Sequence, residues 1–97
     1  MATYVVLFNW TEQGIKNFKD SPSRADAARE ALGGQGVTIG EIYWTIGPYD
    51  LVSIVEAPDD ETLTAGLLQL AAGGNVRSTT MRAFTQAEFT GVIGRTG

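Results

Sequence analysis

The stretch that decides the fold lies at the start of the chain, Thr3-Tyr4-Val5-Val6-Leu7-Phe8-Asn9-Trp10. It is rich in β-branched and aromatic residues and too short for a buried helix, so it predicts a first strand. Side chains alternate between the two faces of a strand, which puts Val5 and Leu7 on one face and Tyr4, Val6, Phe8 and Trp10 on the other. Both faces are apolar, as is typical of a strand covered from two sides.

Cap and turn residues outside this strand mark two long helices. Ser21-Pro22 predicts the start of the first, with Ser21 as N-cap and Pro22 at the first helical position. Gly33-Gly34-Gln35-Gly36 predicts its end. Pro58-Asp59-Asp60-Glu61 places acids at the start of the second helix, which Gly73-Gly74 terminates. A short helical segment over 11–19 precedes the first of these helices.

The remaining apolar segments predict three more strands, over 37–46, 50–57 and 76–84. A short helical tail is predicted over 85–93. The element order is therefore βαββαβ. Right-handed crossovers make a ferredoxin-like α+β sandwich the economical arrangement, with a four-stranded antiparallel sheet and both helices on one face. We expect residues 1–97 to form a single domain of this kind.

Two helices cover only one face of such a sheet, although the first strand is apolar on both. We therefore expect a second copy of the chain to cover the face that bears Tyr4, Phe8 and Trp10. Leaving large apolar side chains in water would cost about 1.5 to 3 kcal/mol each. The prediction is a homodimer or a larger assembly built on it.

Composition excludes several functional classes. The net charge of −4 argues against sequence-independent nucleic-acid binding, which requires a positive surface. The chain has no histidine and no cysteine, so imidazole bases, thiolate nucleophiles and ordinary zinc or haem sites are excluded, and we expect no cofactor. We find neither a signal peptide nor a membrane span, and expect a cytoplasmic protein without membrane contact.

Several residues along the chain carry a family resemblance: Trp10, Gly14, Arg24, Tyr43-Trp44, Gly47, Tyr49, Asp50, Glu56-Ala57-Pro58-Asp59-Asp60 and Thr80-Met81-Arg82-Ala83-Phe84. In this order and spacing they make the chain resemble the small bacterial GYD-domain proteins, named for the Gly, Tyr, Asp signature in the turn between the middle strands. The resemblance implies a dimeric α/β-barrel type of ferredoxin-like fold. It implies no particular reaction or ligand.

The signature turn Gly47-Pro48-Tyr49-Asp50 is the first candidate site. The phenol of Tyr49 and the carboxylate of Asp50 could act as an acid/base or hydrogen-bonding pair toward a ligand. The alternative, which we favour, is a structural turn in which Asp50 accepts backbone hydrogen bonds.

Arg82 is the second candidate, because it shares a predicted strand face with Ser78 and Thr80. A guanidinium on a buried sheet face needs a carboxylate partner, and we expect Asp50, Glu41 or Glu56 to supply one. The sharper hypothesis is a polar pocket between the sheet and the partner subunit. There Arg82, Thr80, Ser78 and Asp50 would bind an anionic group.

Large aromatic side chains near strand ends could wall a pocket for a flat organic molecule; they are Trp10, Tyr43 and Trp44. Packing against the core or a partner is the commoner role of such residues. Arg24 could reach a phosphate or carboxylate, but its default state is a solvated side chain near Asp20 or Asp26.

Three hypotheses for function follow. The first is a homo-oligomeric regulatory or binding module that holds a small organic or anionic ligand between the helix-free sheet face and the partner subunit. Its candidate ligand-binding residues are Asp50, Tyr49, Arg82, Thr80, Trp10 and Tyr43. The second is a cofactor-independent oxygenase or isomerase that uses Asn9, Trp10, Tyr49, Asp50 and Arg82. The third is a structural subunit whose only activity is association.

Overall fold

The computed structural model describes residues 1–97 and contains four strands and four α-helices. The strands are β1 (Ala2–Trp10), β2 (Thr38–Trp44), β3 (Leu51–Ala57) and β4 (Val76–Ala83). The helices are α1 (Glu12–Lys16), α2 (Ser21–Gly33), α3 (Asp60–Ala72) and α4 (Gln86–Ile93), with a 3₁₀ turn at Phe18–Asp20. No helix of the chain combines the length and apolar character needed to cross a membrane.

The strands form one antiparallel sheet in the order β2-β3-β1-β4. β1 lies in the interior of the sheet, where Tyr4 is opposite Val55 of β3 on one side and Arg82 of β4 on the other. This is the predicted α+β, ferredoxin-like arrangement. The longest apolar strand of the sequence thus occupies a position with hydrogen-bonded neighbours on both sides.

The buried core lies between the sheet and helices α2 and α3, and its eight residues are Tyr4, Val6, Leu32, Val37, Ile39, Val55, Ala57 and Leu63. Tyr4 is only 3% exposed, and Phe8 packs against the same cluster. The prediction that the face bearing Tyr4, Phe8 and Trp10 lies opposite the helices was therefore wrong. The alternation of β1 could not decide between its faces because both are apolar.

In β3, burial alternates along the strand, and the buried residues are those that face the helices. Its residues Leu51, Ser53, Val55 and Ala57 are buried, whereas Ile54 and Glu56 are exposed. The register carries this division across to β1, so that Val5 and Leu7 face away from the helices. These side chains belong to an apolar surface that no helix of the chain covers.

Helix ends follow the predicted capping residues with one exception. Asp59 caps α3, and its carboxylate accepts the N–H of Thr62 at 2.8 Å. Ser21, predicted as the N-cap of α2, is instead its first helical residue. It is buried, and its hydroxyl oxygen accepts the indole N–H of Trp44 at 3.0 Å. The Ser21 side chain thus binds Trp44 of β2 and does not cap the helix.

The junction after β1 is packed closely against the loop before β4. The N–H of Thr11 donates to the carbonyl of Asn75 at 3.1 Å. A Cβ at Gly14 would lie only 1.9 Å from that carbonyl oxygen, so glycine is required there by the close approach of two backbones. This contact holds the end of β1 and the loop before β4 together beside α2.

Candidate functional site

The signature turn is bonded to the end of β1. The N–H of Asp50 donates to the carbonyl of Phe8 at 2.8 Å, and the N–H of Trp10 donates to Asp50 Oδ2 at 2.9 Å. Asn9 Nδ2 donates to the carbonyl of Pro48 at 2.9 Å. Through these bonds the backbone of the turn and the Asp50 carboxylate continue the hydrogen bonding between β1 and β3 past Leu51, the first residue of β3. The geometry supports a structural role for Asp50.

Arg82 has no carboxylate partner, so the predicted ion pair with Asp50, Glu41 or Glu56 was wrong. The ion pairs of the chain are Lys16 with Glu12 and Arg29 with Asp26. Arg82 is exposed and therefore needs no partner charge. Its guanidinium donates to the carbonyl of Thr3 at 3.1 Å and stacks over the rings of Tyr4 and Phe84.

The structure separates the predicted polar residues into two places. Arg82 is opposite Tyr4, whereas Asp50 bonds to Phe8 and Trp10, four and six positions further along β1. At about 3.3 Å per residue, four positions amount to ~13 Å. Asp50 also lies on the β3 side of β1 and Arg82 on the β4 side. They do not form one pocket.

Arg82 and Thr80 instead border an open groove between α3 and β4, with a volume of about 680 Å³. At its base the hydroxyl of Tyr4 donates to Asp60 Oδ1. This bond to the carboxylate, together with burial, raises the pKa of the Tyr4 phenol. The phenol is thus held neutral and is a poor proton donor toward any ligand in the groove.

The three large aromatics do not form a common wall. Tyr43 is opposite Val52 on the helix-free face and is well exposed. Trp44 bonds to Ser21 of α2. Trp10 shares a strand face with Phe8 and is half-buried, and its indole N–H is buried without a hydrogen-bond partner. The predicted pocket for a flat molecule is not assembled within one chain.

Sequence reasoning missed a cavity of about 110 Å³ between α2 and the sheet. Eight of its eleven lining residues are hydrophobic, among them Phe8, Leu51 and Val76. Arg24 lies at its wall. The sequence signal for this space was the pair Ala25 and Ala28 on the inward side of α2, because small side chains facing a sheet leave volume unfilled.

The environment of Arg24 differs from the solvated state expected by default. Its Nη1 donates to the carbonyl of Asn17 at 3.0 Å, and it forms no ion pair with Asp20 or Asp26. Its Nη2 is buried and has no hydrogen-bond partner. Buried polar groups are normally satisfied, and Arg24 is also one of the residues that line the cavity. No group of three acidic side chains is placed to hold a metal ion.

Comparison with known families settles the relationship of the chain. The family model described as GYD domain matches residues 4–93. The chain belongs to the GYD domain family. The match covers the sheet, both long helices and α4, which confirms the resemblance drawn from the Gly, Tyr, Asp signature.

A curated relative of this GYD-domain chain is the "Glutamine synthetase and cystathionine beta-lyase binding protein" of Thermus thermophilus. It is 34% identical over 89 residues, covering 91% of this chain and 94% of the relative. The relative is thus a protein of similar length, named for its binding to two enzymes.

Two solved structures have similar folds. TTHA0845 from Thermus thermophilus is 31% identical with a TM-score of 0.55, over 88% of this chain and 95% of that one. MtbAldR has a TM-score of 0.68 at 16% identity. The aligned region covers 88% of this chain but only about half, 52%, of MtbAldR. At that identity the likeness to MtbAldR concerns the fold alone.

Proposed function

We propose that this chain is a homodimeric regulatory module that acts by binding other proteins and performs no catalysis. The observation that carries the proposal is the apolar sheet face opposite the helices. Its residues are Val5, Leu7, Tyr43, Val52, Ile54 and Met81.

This helix-free face is continuous across three strands. Val5 of β1 is opposite Ile54 of β3 on one side and Met81 of β4 on the other. Ile54 is 49% and Met81 is 47% exposed in the single chain. An apolar patch of this kind marks an interaction surface. A second copy is the occupant we propose, because the same face on both subunits is self-complementary around a twofold axis.

Helix α4 gives independent support for a second copy. None of its residues is buried, although Phe89, Val92 and Ile93 are apolar and spaced along one side. An isolated helix of eight residues is marginal in water. The radius of gyration is 14.6 Å, against about 12.5 Å for a compact domain of this length. Docking of α4 on the partner would account for both observations.

Binding of enzymes is supported by the relative from Thermus thermophilus, whose name states that it binds glutamine synthetase and cystathionine β-lyase. We propose metabolic enzymes of this kind as partners of the present chain. The oxygenase or isomerase alternative has less support, because Asp50 is committed to the backbone of β1 and Arg82 lies away from it.

The dimer is tested by placing a charge on the helix-free face. Ile54→Lys should weaken self-association by at least about a hundredfold, since an unpaired ammonium would be buried in an apolar interface. Ala65→Lys, which adds the same charge on the exposed surface of α3, is the control and should leave the dimer intact. Analytical ultracentrifugation measures both. A wild-type chain that stays monomeric at about 100 μM, where even weak specific contacts are populated, would refute the dimer.

Enzyme binding is tested with purified glutamine synthetase and cystathionine β-lyase from the organism that supplies the chain. Surface plasmon resonance should detect saturable binding of at least one of them to the wild-type protein. A stable dimer that binds neither enzyme would contradict the regulatory role and support a purely structural subunit.

A further inference from the structure

We propose that the cavity between α2 and the sheet binds a small monocarboxylate with a short aliphatic chain. The site lies within one chain and uses no residue of the helix-free face. It is therefore independent of the proposed dimer and of any enzyme partner.

The shape and lining of the cavity define the apolar part of this ligand. Its walls come from the sheet, from Ala25 and Ala28 of α2, and from Leu70 of α3. The volume is about 110 Å³, whereas ~150 Å³ holds one benzene molecule in an engineered apolar cavity. By this comparison there is room for about four methyl or methylene carbons.

Arg24 defines the charged end. It lines the cavity, and its buried Nη2 has two N–H groups with no acceptor in the protein. A buried donor without a partner is costly, and a carboxylate can accept parallel, charge-assisted hydrogen bonds from Nη2 and from a second guanidinium nitrogen. Arg24 has no carboxylate partner of its own, so its charge is available to a ligand.

Ser21 offers a further donor one helical turn before Arg24. It also lines the cavity and is 5% exposed. Its oxygen accepts the Trp44 indole N–H, which leaves its own O–H free to donate to a second carboxylate oxygen.

The lining also argues against other ligand classes. The residues around the cavity include no carboxylate, so an ammonium group would have no counter-charge. Eight hydrophobic side chains leave few partners for a cluster of water, since each buried water needs two to four polar contacts. An aliphatic acid without an amine fits both the apolar walls and the single cation.

The test is isothermal titration calorimetry of the full chain with sodium acetate, valerate and octanoate, and with pentanol and pentylamine. We expect valerate to bind one per chain. Acetate should bind weakly because it leaves the cavity unfilled, and octanoate because it exceeds the volume. Pentanol and pentylamine should bind at least about tenfold more weakly than valerate, because neither offers a charged acceptor.

Two variants locate the site. Arg24→Gln should reduce valerate affinity at least about tenfold and bring it near that of pentanol. Ala28→Leu should fill the cavity and abolish binding of both compounds while the fold persists, as judged by circular dichroism. Arg95→Gln, at an exposed arginine near the end of the chain, is the charge control and should bind valerate normally.

Three results would overturn the proposal. Wild-type protein that shows no saturable valerate binding excludes the site. Equal affinity for valerate and pentanol excludes recognition of the charge by Arg24. Undiminished valerate binding in Ala28→Leu places the ligand elsewhere. If Arg24→Gln fails to fold, Arg24→Lys retains the charge without the planar fork and should still lose most of the affinity.

Discussion

At the scale of single residues, the carboxylate of Asp50 completes the hydrogen bonding of a strand end. β3 begins at Leu51, opposite Phe8, so no residue of that strand can accept the N–H of Trp10. Asp50 Oδ2 accepts it instead. Backbone N–H groups at such positions need an acceptor, and the family signature supplies one from the turn itself.

Substitution of Asp50 separates this structural role from a role in binding. Asp50→Ala should lower the free energy of unfolding by about 1 kcal/mol, because the Trp10 N–H loses its acceptor. Asp50→Asn should cost less, because its amide oxygen can still accept. Urea denaturation measures both, with Glu30→Gln, at an exposed glutamate in neither ion pair, as the control. Unchanged stability combined with lost enzyme binding would assign Asp50 to a functional site.

Arg82 and Arg24 show which properties of a single residue the sequence does not predict. The sequence predicted the strand in which the charged Arg82 lies and the strand face that it shares with Thr80. Its exposure was not, because that depends on how far α3 reaches over β4. The orphaned Nη2 of Arg24 likewise arises from the packing of α2 on the sheet, which no local pattern specifies.

At the scale of elements, the start of α3 is fixed by chemistry that the sequence displays. Asp59 accepts the Thr62 N–H, and this bond lowers the pKa of the Asp59 carboxyl below its ordinary value of 3.8. Glu88 has a lowered pKa for a similar reason, since it accepts the N–H of Thr85 in the capping box of α4. Both caps work best with an ionised acid.

The lowered pKa of Asp59 predicts a loss of stability in acid. A carboxyl whose folded-state pKa lies below its unfolded value stabilises the fold fully above the unfolded pKa. That contribution is lost as the pH falls through the folded-state pKa. Melting temperatures measured from pH 6 down to about pH 2.5, a range that crosses the unfolded-state pKa of aspartate, should therefore decline at the acid end.

The variant Asp59→Asn provides the comparison. Asparagine caps helices about as well as aspartate but does not titrate. It should keep the melting temperature near that of wild type at pH 6 and make the acid decline shallower. The control Glu30→Gln, at an exposed glutamate in neither ion pair, should keep the wild-type slope. An unchanged slope in Asp59→Asn would show that the α3 cap does not contribute to acid sensitivity.

At the scale of the whole molecule, the single chain has a small core. Only 13 of its 97 residues are buried, and the sheet face formed by Val5, Ile54 and their neighbours has no cover. Small domains bury a limited share of their surface and gain stability by association. The proposed dimer should therefore contribute to folding stability as well as to function.

Coupling of folding to association predicts a melting temperature that depends on protein concentration. Dilution by about a hundredfold should lower the wild-type melting temperature by several degrees, because dissociation favours the unfolded state by mass action. Ile54→Lys should melt at a lower temperature that does not change with dilution. Differential scanning fluorimetry measures this, and a wild-type value independent of concentration would contradict coupled folding and assembly.

The sequence by itself determined the element order, the acidic start of α3, and the family, because these depend on local spacing and turn chemistry. Tertiary structure alone decided which face of β1 meets the helices. It also decided that Asp50 and Arg82 lie apart, and that a cavity forms beside Arg24. The physical reason is that β1 is apolar on both sides, so its orientation follows from its register with β3. Only the packing of two helices on that sheet determines which side chains remain exposed and which atoms remain without partners.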